Sequence, residues 1–471
     1  MRVVHLLRKL DPAEWGGTET AIERLLEGLR SQGVDSVVYC PRLPSGDSSL
    51  KGASRVERFC AFVPVFGLSE ERKRQFVSVG GNLMSFDLVG SLWRERDLSL
   101  IHTHTAGRLG AIGRTIARHR GLPFVITIHG GVLDLPPSVA KSFSRPNHSG
   151  WEWGRVFGWM FQSHHIFRDA DAIITCNPRE AALWRERFPA KRVVVQPHGV
   201  PLEAFRQDHR AAARAAFPGI FCGAGVPSAN GSPAMSNGIQ TSRITHHASP
   251  RAGFPKTGHR PLLLCAGRID PVKNQGWLLD QTPAIFQRHP EARLVFAGPC
   301  TDAAYGELIR QKIRTLGLDA RVVLTGGLPP NDPRLIGLFQ EAAAVVLPSV
   351  SETFGLVILE AWGAGAVVLS SRTSGPSALI QHGENGWLFD LGQPQTFHEA
   401  LDRTFAQPEL SREMVARGAA LAAEHSLEAT AARMKQLYSE LVQLTHHVSR
   451  ITHHTSPRHL TPDTRHLTPD T

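Results

Sequence analysis

The sequence predicts an α/β protein of two doubly wound domains, each a parallel sheet with helices on both faces, facing each other across a cleft. Three observations predict it. The chain has 471 residues, the length of two or three domains. Short β-branched runs alternate with longer helical patterns through most of it, the mark of a parallel sheet with crossover helices. The alternation breaks once, at a Gly-, Pro- and Ser-rich stretch over 217–258 without Asp or Glu, leaving two similar halves, 1–216 and 259–445.

In the first half the apolar runs place strands at 2–7, 36–40, 98–103, 123–128, 171–176 and 192–197. In the second they place strands at 261–266, 293–297, 321–325, 343–348, 366–370 and 386–389. Hydrophobic residues make up 42% and charged residues 20%. That composition excludes a wholly disordered chain, a collagen and a disulfide-stapled miniprotein. No apolar run approaches the ~18 residues of a membrane span. The opening Met1–Leu7 is too short in its apolar part for a signal peptide, so a cytoplasmic protein is expected. Of the six cysteines, Cys40, Cys176 and Cys265 lie in apolar strand-like runs and none forms a C-x-x-C pair. They read as reduced small hydrophobes, not as disulfides or zinc ligands.

The stretch 217–258 and the tail 446–471 share a near-repeat. Ser242–Arg251 recurs at Ser449–Arg458, differing only at Ala248 and Thr455, and the tail repeats Arg-His-Leu-Thr-Pro-Asp-Thr at 458–464 and 465–471. Polar, Pro-punctuated repeats bury too little apolar surface to offset ordering entropy. Both are expected to be disordered additions, with metal capture by the His pairs the less favoured reading. The net charge is +10, which suits nucleic acid, an anionic membrane or phosphorylated substrates. No nucleic-acid motif supports the first of these.

In doubly wound sheets ligands bind beyond the carboxyl ends of the strands, so chemistry should follow a strand directly. Four segments meet that test. After the strand Ala343–Leu347 come Glu352, Gly355 and, eight residues past the first acid, Glu360. Gly355 lets a ligand approach the backbone, and the helix starting near Phe354 offers free N–H groups to phosphate or sugar oxygens. Glu360 is a two-point acceptor for a ribose diol if it faces the cleft. Spacing leaves the alternative open, with Glu352 a helix cap and Glu360 a solvated helix residue. After Leu262–Ala266 come Arg268 and Lys273, two cations before a helix, able to clamp a diphosphate. The strand-end position favours that over a solvated basic loop. Gly16 and Gly17 stand between the first strand and first helix, as a close-approach turn or simply a tight one. His129, with Gly130 and Gly131, ends the strand Phe124–Ile128 and can reach a sugar hydroxyl; for His102 and His104 ligand and packing roles stay open.

These motifs resemble the retaining glycosyltransferases of family 4, which have the GT-B fold of two Rossmann-like domains. The resemblance covers nearly all of 1–445 outside the 217–258 stretch. It rests on Gly267-Arg268-(x4)-Lys273-Asn274, Pro348-Ser349-(x2)-Glu352-(x)-Phe354-Gly355, Glu360-Ala361 and His382-Gly383-Glu384-Asn385-Gly386. The N-terminal Gly16-Gly17-Thr18-Glu19 and Thr127-(x)-His129 add weaker support. It departs from the family at His198-Gly199-Val200-Pro201, where Asn-Gly-Val-Asp is common, and at Ser377-Ala378, where a Glu is common.

The resemblance implies a hexosyltransferase in polysaccharide or glycolipid assembly. Its C-terminal domain would bind a nucleotide-sugar donor and its N-terminal domain a saccharide or lipid-linked acceptor, with the last helix packing back on the N-terminal domain. Arg268 and Lys273 would neutralise the diphosphate. Glu352 and the backbone of Phe354, Gly355 and Leu356 would hold the transferred sugar, and Glu360 the ribose. His129 would touch the sugar, Gly17 would border the cleft, and the loop at Thr325 would help choose the base. Retention of configuration is part of what the resemblance implies. The competing readings are an epimerase or phosphorylase on the same frame, or a non-catalytic nucleotide-sugar binder.

Two further readings stand apart from the resemblance. Asp169-Ala170-Asp171 looks like a metal-binding D-x-D, but it precedes its strand and so lies at the amino edge, away from ligands. With no acidic pair at the ligand edge, the diphosphate charge needs protein cations, and metal-independent chemistry is expected. Arg108, Arg114, Arg118 and Arg120, with Trp151, Trp153, Phe157, Trp159 and Met160, could form a basic, aromatic face for peripheral contact with an anionic bilayer. A solvated face plus core aromatics is the favoured alternative.

Overall fold

The computed structural model describes residues 1–11, 15–42, 49–73, 83–130, 133, 151–221 and 261–454. Gly131, most of the 217–258 stretch and the tail beyond 454 lie outside these residues. The first sheet contains β1 (Arg2–Leu6), β2 (Asp35–Pro41), β3 (Arg55–Phe59), β5 (Leu98–Thr103), β6 (Phe124–Ile128), β8 (Ala172–Thr175) and β9 (Val193–Val195). Its order is β3-β2-β1-β5-β6-β8-β9, all parallel. The pair β4 (Val65–Phe66) and β7 (Trp151–Glu152) forms a small antiparallel ribbon outside it. The second sheet contains β10 (Leu262–Ala266), β11 (Arg293–Ala297), β12 (Val322–Gly326), β13 (Ala342–Leu347), β14 (Val367–Ser371) and β15 (Trp387–Phe389). Its order is β12-β11-β10-β13-β14-β15, again all parallel.

Side chains alternate across each strand, so one strand feeds two cores. In β1, Val4 and Leu6 pack with Ile101, Ile112 and Ile126, while Val3 packs on the opposite face with Leu100 and Ile174. In β10, Leu262 and Leu264 join Phe339 and Trp362, while Leu263 and Cys265 join Leu278 and Ile309. Burying each such side chain is worth about 1.5–3 kcal/mol. Both sheets reverse their winding direction, the first between β1 and β5 and the second between β10 and β13. Such switch points open crevices at the carboxyl ends.

Three local departures from the sequence reading have physical causes. Strand β3 has exposed or half-buried charged residues and only Phe59 buried, so no apolar run announced it; it is an edge strand, where charge is tolerated. Residues 202–221 do not belong with the first sheet, as a boundary at 216 implied. The helices Leu202–Arg206, Arg210–Ala216 and Pro218–Phe221 set Phe205, Ala213 and Ile220 into the core of the second sheet beside Ile336 and Phe339. The boundary expected at 446 falls within a helix, the last one, which runs Leu427–His454. That helix returns to the first sheet, where Met434, Leu437, Tyr438 and Leu441 cover Val3, Leu29 and Leu100.

Candidate active site

The carboxyl ends of both sheets border one cleft of about 980 Å³. Trp15, Gly17, His129 and His198 line it from the first sheet's side; Arg268, Lys273, the 351–357 loop and Glu360 line it from the other.

The charged wall is built from two loops tied together. Asp270, nearly buried, accepts the Lys273 backbone N–H (3.0 Å), and Gln275 Nε2 donates to the Arg268 carbonyl (2.8 Å). The Val350 N–H donates to the Val272 carbonyl (2.9 Å), joining the loop after β10 to the loop after β13. Arg268 Nη2 stands 3.2 Å from Asp270 Oδ2, yet its side chain is 43% exposed. Lys273 Nζ is ion-paired to the Glu352 carboxylate, so an expected diphosphate cation and the acid expected to hold the sugar neutralise each other in this state. The Glu352 carbonyl accepts the Gly375 N–H (2.9 Å). The start of the helix Ser374–Leu379 therefore supports the loop even where Ser377-Ala378 replace the expected Glu. Gly355 has φ +93, and a Cβ there would lie 2.7 Å from Ile358 Cδ1. Only glycine lets the chain turn there into the helix Leu356–Ala364 and aim that helix's N-terminus at the cleft. Glu360, one turn along, is 13% exposed, and its Oε1 lies 2.6 Å from Arg24 Nη2. That contact excludes the reading of a solvated helix residue.

The opposite wall is mostly uncharged: beside Glu23 and Lys51 it presents glycine, hydroxyl, indole and imidazole groups. A Cβ on Gly17 would meet nothing within 4 Å, so this glycine faces open cleft. Glu19 Oε2 accepts the Gly16 N–H (3.1 Å) at the start of the helix Gly17–Ser31. His129 does not offer a ring nitrogen to the cleft as expected. Its Nε2 is hydrogen-bonded to His104 Nδ1 (2.7 Å), and its Nδ1 is buried without a partner. His104 Nε2 in turn meets His5 Nδ1 (3.1 Å), whose Nε2 is also buried and unpartnered. A chain of three neutral imidazoles linked by two hydrogen bonds leaves one idle nitrogen at each end whichever way it runs. Burial, reinforced by the neighbouring imidazoles, holds His102 and His104 well below the usual imidazole range; burial and then His198 do the same for His129. Burial takes His5 down to about 3, and burial with the Arg24 charge takes His198 down to about 4. His5, His102 and His104 cluster closely enough for a metal ion. However, both His102 nitrogens meet hydroxyls, those of Tyr438 and Thr127, and His5 bonds His104 directly. The cluster is a hydrogen-bonded core, which answers the question left open for His102 and His104.

The structure brings Gly17, His129, Arg268, Lys273, Glu352, Phe354, Gly355, Leu356 and Glu360 to one cleft. It does not bring Thr325. Strand β12 is the far edge of its sheet; Thr325 Oγ1 donates to the Gly326 carbonyl (3.0 Å), and the chain reaches the cleft only at Gly327–Pro330. The D-x-D acids are structural: Asp169 is paired with Arg114, Arg118 and Arg168, and Asp171 accepts the Phe124 N–H (2.7 Å). Arg108 and Arg114 are buried, so they are not part of an exposed basic face. Sequence reasoning missed Asn177, whose Nδ2 donates to the Thr353 carbonyl (3.0 Å), and it named His198 only as a departure from the family, not as a ring edge-on to Phe354 at 4.9 Å. Both follow strands, β8 and β9, so the strand-end rule could have found them. Arg24 carried no such signal.

Comparisons with known proteins agree with this architecture. Residues 15–204 match the family model described as Glycosyltransferase Family 4, and residues 260–407 match the one described as Glycosyl transferases group 1. The D-inositol 3-phosphate glycosyltransferase of Corynebacterium jeikeium is 26% identical, over 94% of this chain and 97% of its own length. That of Corynebacterium urealyticum is 28% identical, over 94% and 96%. Among solved structures, Anabaena HepE in complex with UDP and glucose superposes with TM-score 0.63 at 17% identity, covering 93% of this chain and all of the other. The sucrose-phosphate synthase of Thermosynechococcus elongatus superposes with TM-score 0.64 at 19% identity, covering 94% and all. With a Glycosyltransferase Family 4 domain in its first half, a Glycosyl transferases group 1 domain in its second and glycosyltransferase relatives matched over nearly their whole length, this chain is a glycosyltransferase of the GT-B fold.

Proposed function

We propose that the cleft transfers a hexosyl group from a nucleotide-diphosphate sugar to a hydroxyl of a saccharide or lipid-linked acceptor, with retention of configuration, in polysaccharide or glycolipid assembly. The observation that carries this reading is the meeting of Arg268, Lys273 and Glu352 with a helix N-terminus on one cleft wall. The binding of UDP and glucose by HepE, named in its structure, supports a nucleotide-sugar donor here.

On donor entry, the diphosphate takes Lys273 and Arg268, and Glu352 is released to the sugar hydroxyls. Glu360 accepts from the ribose. The sugar–phosphate bond loosens first, leaving an oxocarbenium-like carbon and growing negative charge on the diphosphate. The two cations and the amides beginning the helix Leu356–Ala364 stabilise that charge where water is scarce. The acceptor hydroxyl attacks from the same face, and its proton passes to the departing phosphate oxygen. No divalent ion is needed in this scheme. Of the carboxylates lining the cleft, Glu352 is held by Lys273, Glu360 by Arg24, and Glu23 accepts the Lys51 N–H (3.2 Å). Peripheral contact with an anionic bilayer is supported by the exposed Phe66, Phe86, Trp93 and Trp159. Flotation with anionic vesicles tests it, and protein left wholly in the pellet removes it.

The main reading is tested by incubating the protein with a panel of nucleotide sugars and saccharide or glycolipid acceptors, with EDTA present. Acceptor-dependent nucleotide release, and a product with the donor's anomeric configuration by NMR, are expected. An inverted product removes retention, and loss of all turnover in EDTA removes the metal-free scheme. Donor isomerisation without an acceptor would make the protein an epimerase.

A further inference from the structure

Arg24 lies within the helix Gly17–Ser31, in the domain opposite the donor-binding loops and outside every motif of the cleft. Its side chain is 2% exposed. Only Nη2 is paired, to Glu360 Oε1 at 2.6 Å; Nε and Nη1 are buried without partners. A surface ion pair would keep both charges in water at little gain or loss. A guanidinium buried with two idle donors is instead costly unless its one contact serves something. That contact is with the cleft acid that follows the 351–357 loop. It occupies Oε1 and leaves Oε2 with no hydrogen bond to any described residue. His198, which feels the Arg24 charge, lies edge-on to Phe354 of the same loop. The guanidinium therefore sits where the two cleft walls meet.

We propose that Arg24 is a positioning residue for the donor ribose: it locks the Glu360 carboxylate from the opposite domain, so that Oε2 is presented to the ribose hydroxyls only while the two walls are together. This rests on the reading above that Glu360 holds the ribose. An unbraced Glu side chain samples several rotamers and must be ordered by the ligand. A carboxylate already held at one oxygen meets the diol pre-organised. The same brace ties ribose recognition to domain closure.

The test compares ribose with deoxyribose ligands. UDP, GDP and ADP are titrated by calorimetry, and the tightest is measured beside its 2′-deoxy and 3′-deoxy analogues in wild type, Glu360→Gln, Arg24→Met and Arg24→Lys. Wild type should prefer the ribose form by about tenfold or more, the cost of leaving a buried acceptor unpaired. Glu360→Gln should lower that ratio. Arg24→Met should lower it about three- to tenfold, with affinity for the deoxy forms nearly unchanged, and Arg24→Lys should fall between. The ratio is taken within each variant, so a lower folded fraction cancels; if Arg24→Met does not fold, Arg24→Lys carries the test. A wild-type ratio in the Arg24 variants alongside a lost ratio in Glu360→Gln overturns the proposal and leaves the ribose reading intact. A higher ratio in Arg24→Met also overturns it, because Arg24 would then compete with the ribose. No ribose preference in wild type, a ratio unchanged by Glu360→Gln, or no binding by any of the three nucleotides, overturns the ribose reading and the proposal together.

Discussion

The two cleft walls come from sheets of the same design, yet they solve different problems. The wall after β10 and β13 carries charge: Arg268, Lys273, Glu352 and Glu360 all line it. Its side chains are held by short-range ties within two loops, and Arg268 stays largely in solvent. The wall after β1, β5, β6 and β9 is mostly uncharged, with Glu23 and Lys51 its charged lining residues among those described. It presents Gly17 and a stack of imidazoles kept neutral by burial. A charged wall suits a leaving group that gains charge, and a mostly uncharged wall competes less for it. The difference teaches that charge-bearing sites can be written locally, whereas a mostly uncharged polar wall must be assembled from strands far apart in the chain.

The sharpest way to break this contrast is to remove a cation. Arg268→Ala or Lys273→Ala should lower kcat/KM by about 2–4 kcal/mol of transition-state stabilisation, or roughly 30- to 1000-fold. Arg268→Ala should leave Tm nearly unchanged, since that side chain is exposed. Equal turnover in an acceptor-dependent assay would show that the wall does not stabilise the leaving group.

Next in size is the turn that aims the helix. Gly355→Ala must hold φ +93 with a Cβ against Ile358, costing about 1–3 kcal/mol of stability. Chemical denaturation should show a lower midpoint, and an unchanged midpoint would mean that the loop rearranges freely.

The mostly uncharged wall has a pH signature. His198 is protonated in the folded protein only near pH 4, but in the unfolded chain near the ordinary 6.5. Between these values the unfolded state binds more protons, so stability falls as pH drops from about 6.5 towards 4. For this one group the loss at pH 5.5 is about 1.4 kcal/mol. Melting curves from pH 7.5 to 5 should therefore fall less steeply for His198→Asn than for wild type. Parallel curves would mean that His198 is solvated.

The smallest structural effect should come from Gly17→Ala. With nothing within 4 Å of the new methyl, Tm should hold to within about 0.5 kcal/mol of stability, while KM for donor or acceptor rises. If KM does not move, no ligand passes close to that glycine.

How much of this was legible in the sequence follows the same contrast. Every β-branched run marked a real strand, because a parallel strand buried on both faces must be apolar throughout. Arg268, Lys273 and Glu352 were visible because each lies in the segment directly after a strand, and Glu360 because it lies one turn into the helix that follows; there local order alone decides position. Strand β3 was not visible, since an edge strand keeps its charges. The His5–His104–His129 chain was invisible as a unit: parallel pairing of β1 with β5 sets His5 beside His102, and no local spacing encodes that register. Arg24 is the clearest case. Its meaning lies in a contact 336 residues away, which only the docking of the two domains creates. Thr325 failed for the opposite reason, because nearness to a strand end counts for little at the sheet's far edge.

The central claim is that the charged wall grips a diphosphate. Calorimetric affinities of a nucleoside diphosphate and the matching monophosphate, in wild type, Arg268→Ala and Lys273→Ala, address it most directly. The account predicts a clear preference for the diphosphate in wild type that collapses in both variants while monophosphate affinity changes little. An equal preference in all three proteins would contradict it.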